Sequence, residues 1–161
     1  MKNAKAPPDR IDQRILGALQ ADGRLSNVDL AERVGLSPSP CLRRVKQLED
    51  AGMIDGYCAI LNRKAVGLGL TVFVELKVGK HSRDNAAMLQ GALAAIPEVV
   101  SCHMVSGVSD FLVEVVVPDL EAYERLITDK ILTLDTVEDL RSNFAIRTIK
   151  SNGPLPLGHL A

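Results

Sequence analysis

The hydrophobic period of this chain changes once, and that change limits it to a small helical unit followed by a sheet-based one. Up to about residue 53 the apolar positions recur at helical spacing; beyond residue 70 they alternate or run in short β-branched blocks. Asp9 is placed to cap a helix carrying Ile11, Ile15, Leu16 and Leu19, which Asp22-Gly23 stops. Ser26 caps a second, short helix with Val28, Leu30, Ala31 and Val34 on one side, and Gly35 ends it. Ser37-Pro38 then opens a third helix, with Ser as cap and Pro at the first helical position. Pro40 still falls in the first turn, and Gly52 closes the helix. Met53–Leu61 reads as a short strand-like stretch, and residues 62–69 as a linker.

The second half predicts a strand over Thr71–Val78, with Val72, Val74, Leu76 and Val78 on one face. A helix over Ser82–Ile96 follows, aligning Ala86, Leu89, Leu93 and Ile96. Strands Val99–Val105 and Phe111–Val117 are joined by a turn through Gly107. Asp119 caps a helix bearing Tyr123, Leu126, Ile127, Ile131 and Leu134, and a last strand runs about Asp139–Ile149. That order is β-α-β-β-α-β, the ferredoxin-like arrangement. The fold class is therefore α+β, a tri-helical, winged-helix-like helix-turn-helix domain plus a ferredoxin-like domain. The expected boundaries are a disordered tail (1–8), the helix-turn-helix domain (9–61), the linker (62–69), the ferredoxin-like domain (70–150) and an extended tail (151–161). Helices cover one face of such a sheet, so a second copy of the chain is the expected cover for the other, apolar face.

Composition excludes several classes. No run approaches the ~20 apolar residues of a membrane span, and Met1–Pro8 has no apolar stretch of a secretory signal, so a cytoplasmic location is expected. Three cysteines (Cys41, Cys58, Cys102) and three histidines (His81, His103, His159) are scattered, which suggests neither a disulfide framework nor a metal site, and no cofactor is expected. An enzyme lacks parts: Cys102 and His103 are neighbours on a strand, point to opposite faces and cannot pair as nucleophile and base. An RNA-recognition domain of the same topology needs aromatics on its central strands, whereas Phe111–Val117 is nearly all aliphatic. Residues 1–64 carry 11 Lys/Arg against 8 Asp/Glu, a balance of +3, and residues 65–161 carry 8 against 12, a balance of −4. A polyanion partner suits the first part only.

The third helix shows which face would meet that partner. On a helical wheel Val45 and Leu48 fall within roughly 40° of Cys41, so these three turn inward. Ser39, Arg43, Lys46 and Gln47 point broadly the other way, and from Arg33 to Lys46 four residues are basic and none acidic. Arg and Lys can donate to guanine, Gln can bond adenine with both its amide atoms, and Arg33, Ser37, Pro40 and Arg44 complete a surface beside the phosphates. The alternative is a solvated basic face on an ordinary helical subdomain.

The run Val34-Gly-Leu-Ser-Pro-Ser-Pro-Cys-Leu-Arg-Arg-Val-Lys-Gln-Leu-Glu and the exit Gly52-Met-Ile-Asp-Gly-Tyr resemble the DNA-binding domain of the leucine-responsive regulatory protein (Lrp/AsnC) family. Val105-Ser-Gly-Val-Ser-Asp-Phe-Leu-Val and Val117-Pro-Asp-Leu-Glu-Ala-Tyr resemble its regulatory domain, so the similarity covers about residues 9–150. The resemblance implies a transcription regulator, not an enzyme, that binds pseudo-palindromic double-stranded DNA. It implies a homodimer, assembling further into octamers in many members, and an amino-acid effector held between subunits. Position by position, the effector turn would be Gly107-Val108-Ser109-Asp110, with Leu120 and Leu132 affecting the response. Read from the residues alone, the same stretch is equally a β-turn in which Gly107 supplies positive φ and Asp110 bonds its own backbone. This chain departs from the family pattern at Val108-Ser109, where an acidic or bulky residue is common, and at Asp135-Thr136, where Pro-Gly is common.

Overall fold

The computed structural model describes residues 7–79 and 83–160, with backbone alone for 83–86. It divides into a helical unit reaching to Ile60, to which the chain returns from Lys150 onward, and a sheet unit, Leu61–Ile149. Residues 1–6 of the expected tail, the expected helix start at Ser82, the side chain of Ala86, and His81 lie outside the described residues.

In the helical unit, α1 (Arg10–Ala21) begins with a complete capping box: Asp9 accepts from the Ile11 and Asp12 N–H groups, and Asp12 accepts from the Asp9 N–H. The second helix, α2 (Asn27–Val34), starts at Ser26, whose Oγ accepts from the Asp29 N–H at 3.2 Å. It ends on Gly35 at φ 74°, while Leu36 N–H donates to Ala31 O and Gly35 N–H to Glu32 O. That is the paired bonding of a left-handed helix end, where glycine carries no Cβ penalty. The third helix, α3 (Pro38–Asp50), closes in the same way through Gly52 at φ 69°. Ser37 stands at its cap position but makes no side-chain cap bond. Pro40 occupies the third helical position and has no N–H to offer. Ile15, Leu16, Leu30, Ala31, Val34, Cys41 and Leu48 form one buried cluster. Met53–Leu61 forms no strand: among the described residues no backbone hydrogen bond from another segment engages residues 54–61.

The sheet unit contains β1 (Leu70–Val78), α4 (Arg83–Ala94), β2 (Val99–Met104), β3 (Phe111–Val117), α5 (Leu120–Leu126) and β4 (Val137–Phe144). The four strands form an antiparallel sheet in the order β2-β3-β1-β4, which is the ferredoxin-like topology. Val72, Val74, Leu76 and Val78 alternate into a core with Leu89, Leu93, Phe111, Val113, Val115, Tyr123 and Ile131. Three expectations change. The helix after Asp119 turns into a π-helical segment at Ile127–Ile131, closed by Leu132 N–H to Ile127 O. Lys130 Nζ, 2.8 and 2.9 Å from the two Glu98 carboxylate oxygens, ties this segment to the chain before β2 and holds the Glu98 carboxyl below its ordinary pKa.

The last strand starts and stops earlier than its apolar residues suggest. Ala145 N–H makes one more bond to Thr71 O, and β1 begins one residue before Thr71, so the strand runs out of partner; Ile146 and Ile149 are fully open to solvent. Finally, the sheet face away from the helices is mixed rather than apolar. Phe73, Leu112 and Val116 share it with Glu75, Lys77, Glu114, Asp139, Arg141 and Asn143, as the strand register requires.

Candidate DNA-binding and effector sites

The helix-turn-helix fixes α3 by its buried side. Cys41 is fully buried, Leu48 nearly so and Val45 half-buried, and burial pushes the Cys41 thiol pKa up, leaving it an apolar core group. Asn27, the first residue of α2, donates its amide to Pro38 O at 2.9 Å and pins the first turn of α3. The opposite side is exposed: Ser39, Arg43 and Gln47 stand at i, i+4 and i+8, with Lys46 beside them. Among the described residues no side-chain hydrogen bond or ion pair engages Arg43, Lys46 or Gln47. Arg33, on the last turn of α2, and Ser37 are exposed, and Pro40 is half-buried.

Arg44 differs from its neighbours. Its Nη1 donates to Asp9 Oδ2 and Asp12 Oδ1, both at 2.8 Å, and its side chain is only 27% exposed. The two carboxylates, Asp12 first, raise the guanidinium pKa further. The Asp9 carboxyl is held below its ordinary value by the Asp12 N–H, and additionally by Arg44. Arg44 therefore fastens α3 to the start of α1, and its charge is already neutralised there.

The Gly107 turn is wired into β1. Gly107 has φ 135°, and a Cβ placed on it would meet nothing within 4 Å, so its constraint lies in the backbone and not in its neighbours. Val108 is 76% exposed. Ser109 Oγ donates to Glu75 Oε2 at 3.0 Å, and Asn143 donates to Glu75 Oε1 at 3.1 Å. The Asp110 carboxylate does not fold back on its own backbone; Oδ2 accepts from the Val78 N–H at 2.8 Å, where the β1–β4 register slips. Its backbone N–H donates to Leu76 O and its carbonyl accepts from Val105 N–H. Leu120 and Leu132 are exposed, at 63% and 58%. Leu132 precedes β4 at the end of the sheet that carries the Gly107 turn. Leu120 follows β3 at the other end, a strand length of ~20 Å away. One chain thus does not gather these six residues into one pocket.

Sequence reasoning missed the Asp9–Asp12–Arg44 clamp, Glu75 between Ser109 and Asn143, and Gln13 and Gln20, which bind the returning C-terminal segment. The alternation of β1 placed Glu75 on the open face, but nothing local named its partners. Cys102 and His103 do point to opposite faces: the strand register pairs Cys102 with the buried Val113 and His103 with Leu112, and the His103 ring lies 2.7 Å from Ser101 Oγ. The described residues hold no group of three or more potential metal ligands, and no helix among them is long and apolar enough to cross a membrane.

A helix-turn-helix with an exposed polar third helix, joined to an antiparallel α+β sheet unit, has the architecture of a two-domain DNA-binding regulator. The winged helix-turn-helix DNA-binding family matches residues 8–55, and the Lrp/AsnC ligand binding domain matches residues 71–155. The leucine-responsive regulatory proteins of Salmonella typhimurium and Escherichia coli K12 are each 43% identical over 147 residues, 91% of this chain and 90% of theirs. A transcriptional regulator from Neisseria meningitidis, solved as a complex with L-methionine, superposes with a TM-score of 0.91 at 41% identity, covering 96% of this chain and 99% of that one. An AsnC family regulator from Agrobacterium tumefaciens gives 0.91 at 37% identity, covering 96% and 100%. This chain belongs to the Lrp/AsnC family of DNA-binding transcription regulators.

The clamp makes a pH-dependent prediction. A carboxyl whose folded pKa is depressed contributes stability that is present above its unfolded value and lost as pH falls through the folded one. Arg44→Gln should lower the urea midpoint of the helical unit at neutral pH, and the deficit should shrink as pH falls below the ordinary aspartate value of 3.8 toward the depressed one that Asp9 has in the folded protein. A deficit that stays constant into acid would show that Arg44 holds α3 by packing and not by charge.

Proposed function

We propose that α3 enters the major groove of a double-stranded operator. Arg43, Lys46, Gln47 and Ser39 reach base edges and phosphates there, while Arg33, Ser37 and Pro40 lie along the backbone. The observation that carries this reading is the division of α3 into a buried side and an exposed side on which Ser39, Arg43, Lys46 and Gln47 have no side-chain partner among the described residues. Such groups are free to exchange water and counterions for DNA. A homodimer, covering the Phe73 and Leu112 part of the open sheet face, would present two copies of α3 to a pseudo-palindromic site. Half-sites would then lie about one helical turn or a multiple apart. Octamers are a further stage of the same assembly.

The effector is an amino acid. The Neisseria meningitidis relative bound to L-methionine supports that class. The Gly107-Val108-Ser109-Asp110 turn offers a backbone open to close approach and a carboxylate with one oxygen left for an ammonium group. Leu132 and Leu120 lie at opposite ends of the sheet within one subunit, which favours a pocket completed by a neighbouring subunit.

For DNA, Arg43→Ala should cost roughly 1–3 kcal/mol of operator affinity and flatten the salt dependence by about one unit of slope. Fluorescence anisotropy on the chain's own upstream DNA checks it, and an unchanged affinity and slope removes Arg43 from the interface. For the effector, Asp110→Asn keeps an oxygen for the Val78 N–H while deleting the charge. Calorimetry with L-methionine and the other common amino acids should show the best wild-type ligand weakened at least tenfold by Asp110→Asn, with the thermal midpoint nearly unchanged. Wild-type affinity in that variant would move the ammonium partner elsewhere.

A further inference from the structure

The chain does not end where either family match ends. Beyond residue 155 it lies back on α1 of its own helical unit. The Gln20 side-chain amide engages the Leu155 backbone at both atoms: Nε2 donates to the carbonyl at 3.3 Å, and Oε1 accepts the N–H at 2.6 Å. Two turns earlier on the same face, Gln13 Nε2 donates to Leu157 O at 2.9 Å. Leu157 and Leu160 are half-buried against the helical core, and a single 3-10 turn at Gly158–Leu160 sets their spacing. Gln13, Leu16 and Gln20 stand at i, i+3 and i+7, so one stripe of α1 supplies two amide brackets flanking an apolar seat. An amide that pairs with both backbone groups of an extended residue recognises the backbone and holds the segment in register.

We propose that Leu155–Leu160 is a docking strap that positions α1, and through α1 the recognition helix. Because the strap continues from β4, the DNA-binding unit is joined to the sheet unit at two points of the chain, Leu61–Gly69 and Ala145–Pro154. The free energy of two half-buried leucines and three hydrogen bonds is of the same order as the entropy of ordering six residues, so the strap is poised between docked and released states. Anything that alters where β4 ends, including effector bound to the sheet unit, biases that equilibrium. This last step rests on the proposed effector-controlled DNA binding; the docking itself does not.

The test uses the full-length protein and the double substitution Leu157→Ser/Leu160→Ser, with Gln13→Ala/Gln20→Ala as an independent second variant and Leu157→Met as the conservative control. Hydrogen exchange should quicken at least tenfold across Leu16–Ala21 in both double variants and stay at the wild-type rate in the control. Operator affinity should fall several-fold in both, and the change in affinity produced by saturating L-methionine, or by whichever amino acid the wild type answers to, should shrink. Unchanged exchange in α1 overturns the strap. Quickened exchange with full operator affinity and a full amino-acid response overturns its positioning role. A wild-type protein that binds no operator would instead overturn the proposed DNA-binding function, and the exchange rates would still decide whether the strap docks.

Discussion

No helix of eight to thirteen residues is stable alone in water, and α1, α2 and α3 are all of that length. The helical unit exists because the three bury one shared cluster around Ile15, Leu30, Val34 and Cys41. With so little core, every local device that lowers the cost of starting or stopping a helix counts. The capping box at Asp9, the Ser26 cap and the left-handed glycines at 35 and 52 are such devices, each worth a fraction of a kcal/mol to about 2. Sharing the core also sets the orientation of α3. Once Cys41 and Leu48 are inside, Ser39, Arg43 and Gln47 are outside.

That geometry separates two arginines adjacent in sequence. Arg43 lies on the outward face and is free; Arg44, one residue on, lies over the start of α1 and meets Asp9 and Asp12. Partly exposed ion pairs contribute little individually, but a guanidinium shared between two carboxylates gives direction as well as energy. The same division of labour appears in the sheet unit. Asp110 supplies an acceptor to the Val78 N–H on the β3 side of β1, beyond the last β1–β3 pair at Leu76 and Phe111, so the turn expected to meet the effector also finishes the end of β1.

Features that depend on neighbours in sequence were legible from it. The helix caps at Asp9, Ser26 and Asp119, the two closing glycines and the bounds of Phe111–Val117 follow from side-chain chemistry within a few residues. Features that depend on distant partners were not. The last strand looked long because Ile146 and Ile149 are apolar, but its true end is set by where β1 begins. Arg44 reads in sequence as a phosphate contact, and its tie to carboxylates 32 and 35 residues away leaves no local mark there. The tail looked merely extended, since an amide gripping a backbone 135 residues away leaves no trace in the pattern of side chains. The open sheet face looked apolar because only its buried partner face carries the strong valine alternation.

The central claim is that the exposed side of α3 is where this regulator meets DNA. Hydrogen exchange of the intact protein with and without its upstream DNA tests it most directly, because it reads every segment at once. Bound DNA is predicted to slow exchange from Cys41 to Gln47 and at the Arg33–Ser37 turn, and to leave Thr71–Val78 and Phe111–Val117 unchanged. Tight binding that protects the sheet unit and leaves α3 at its free rate would contradict the account.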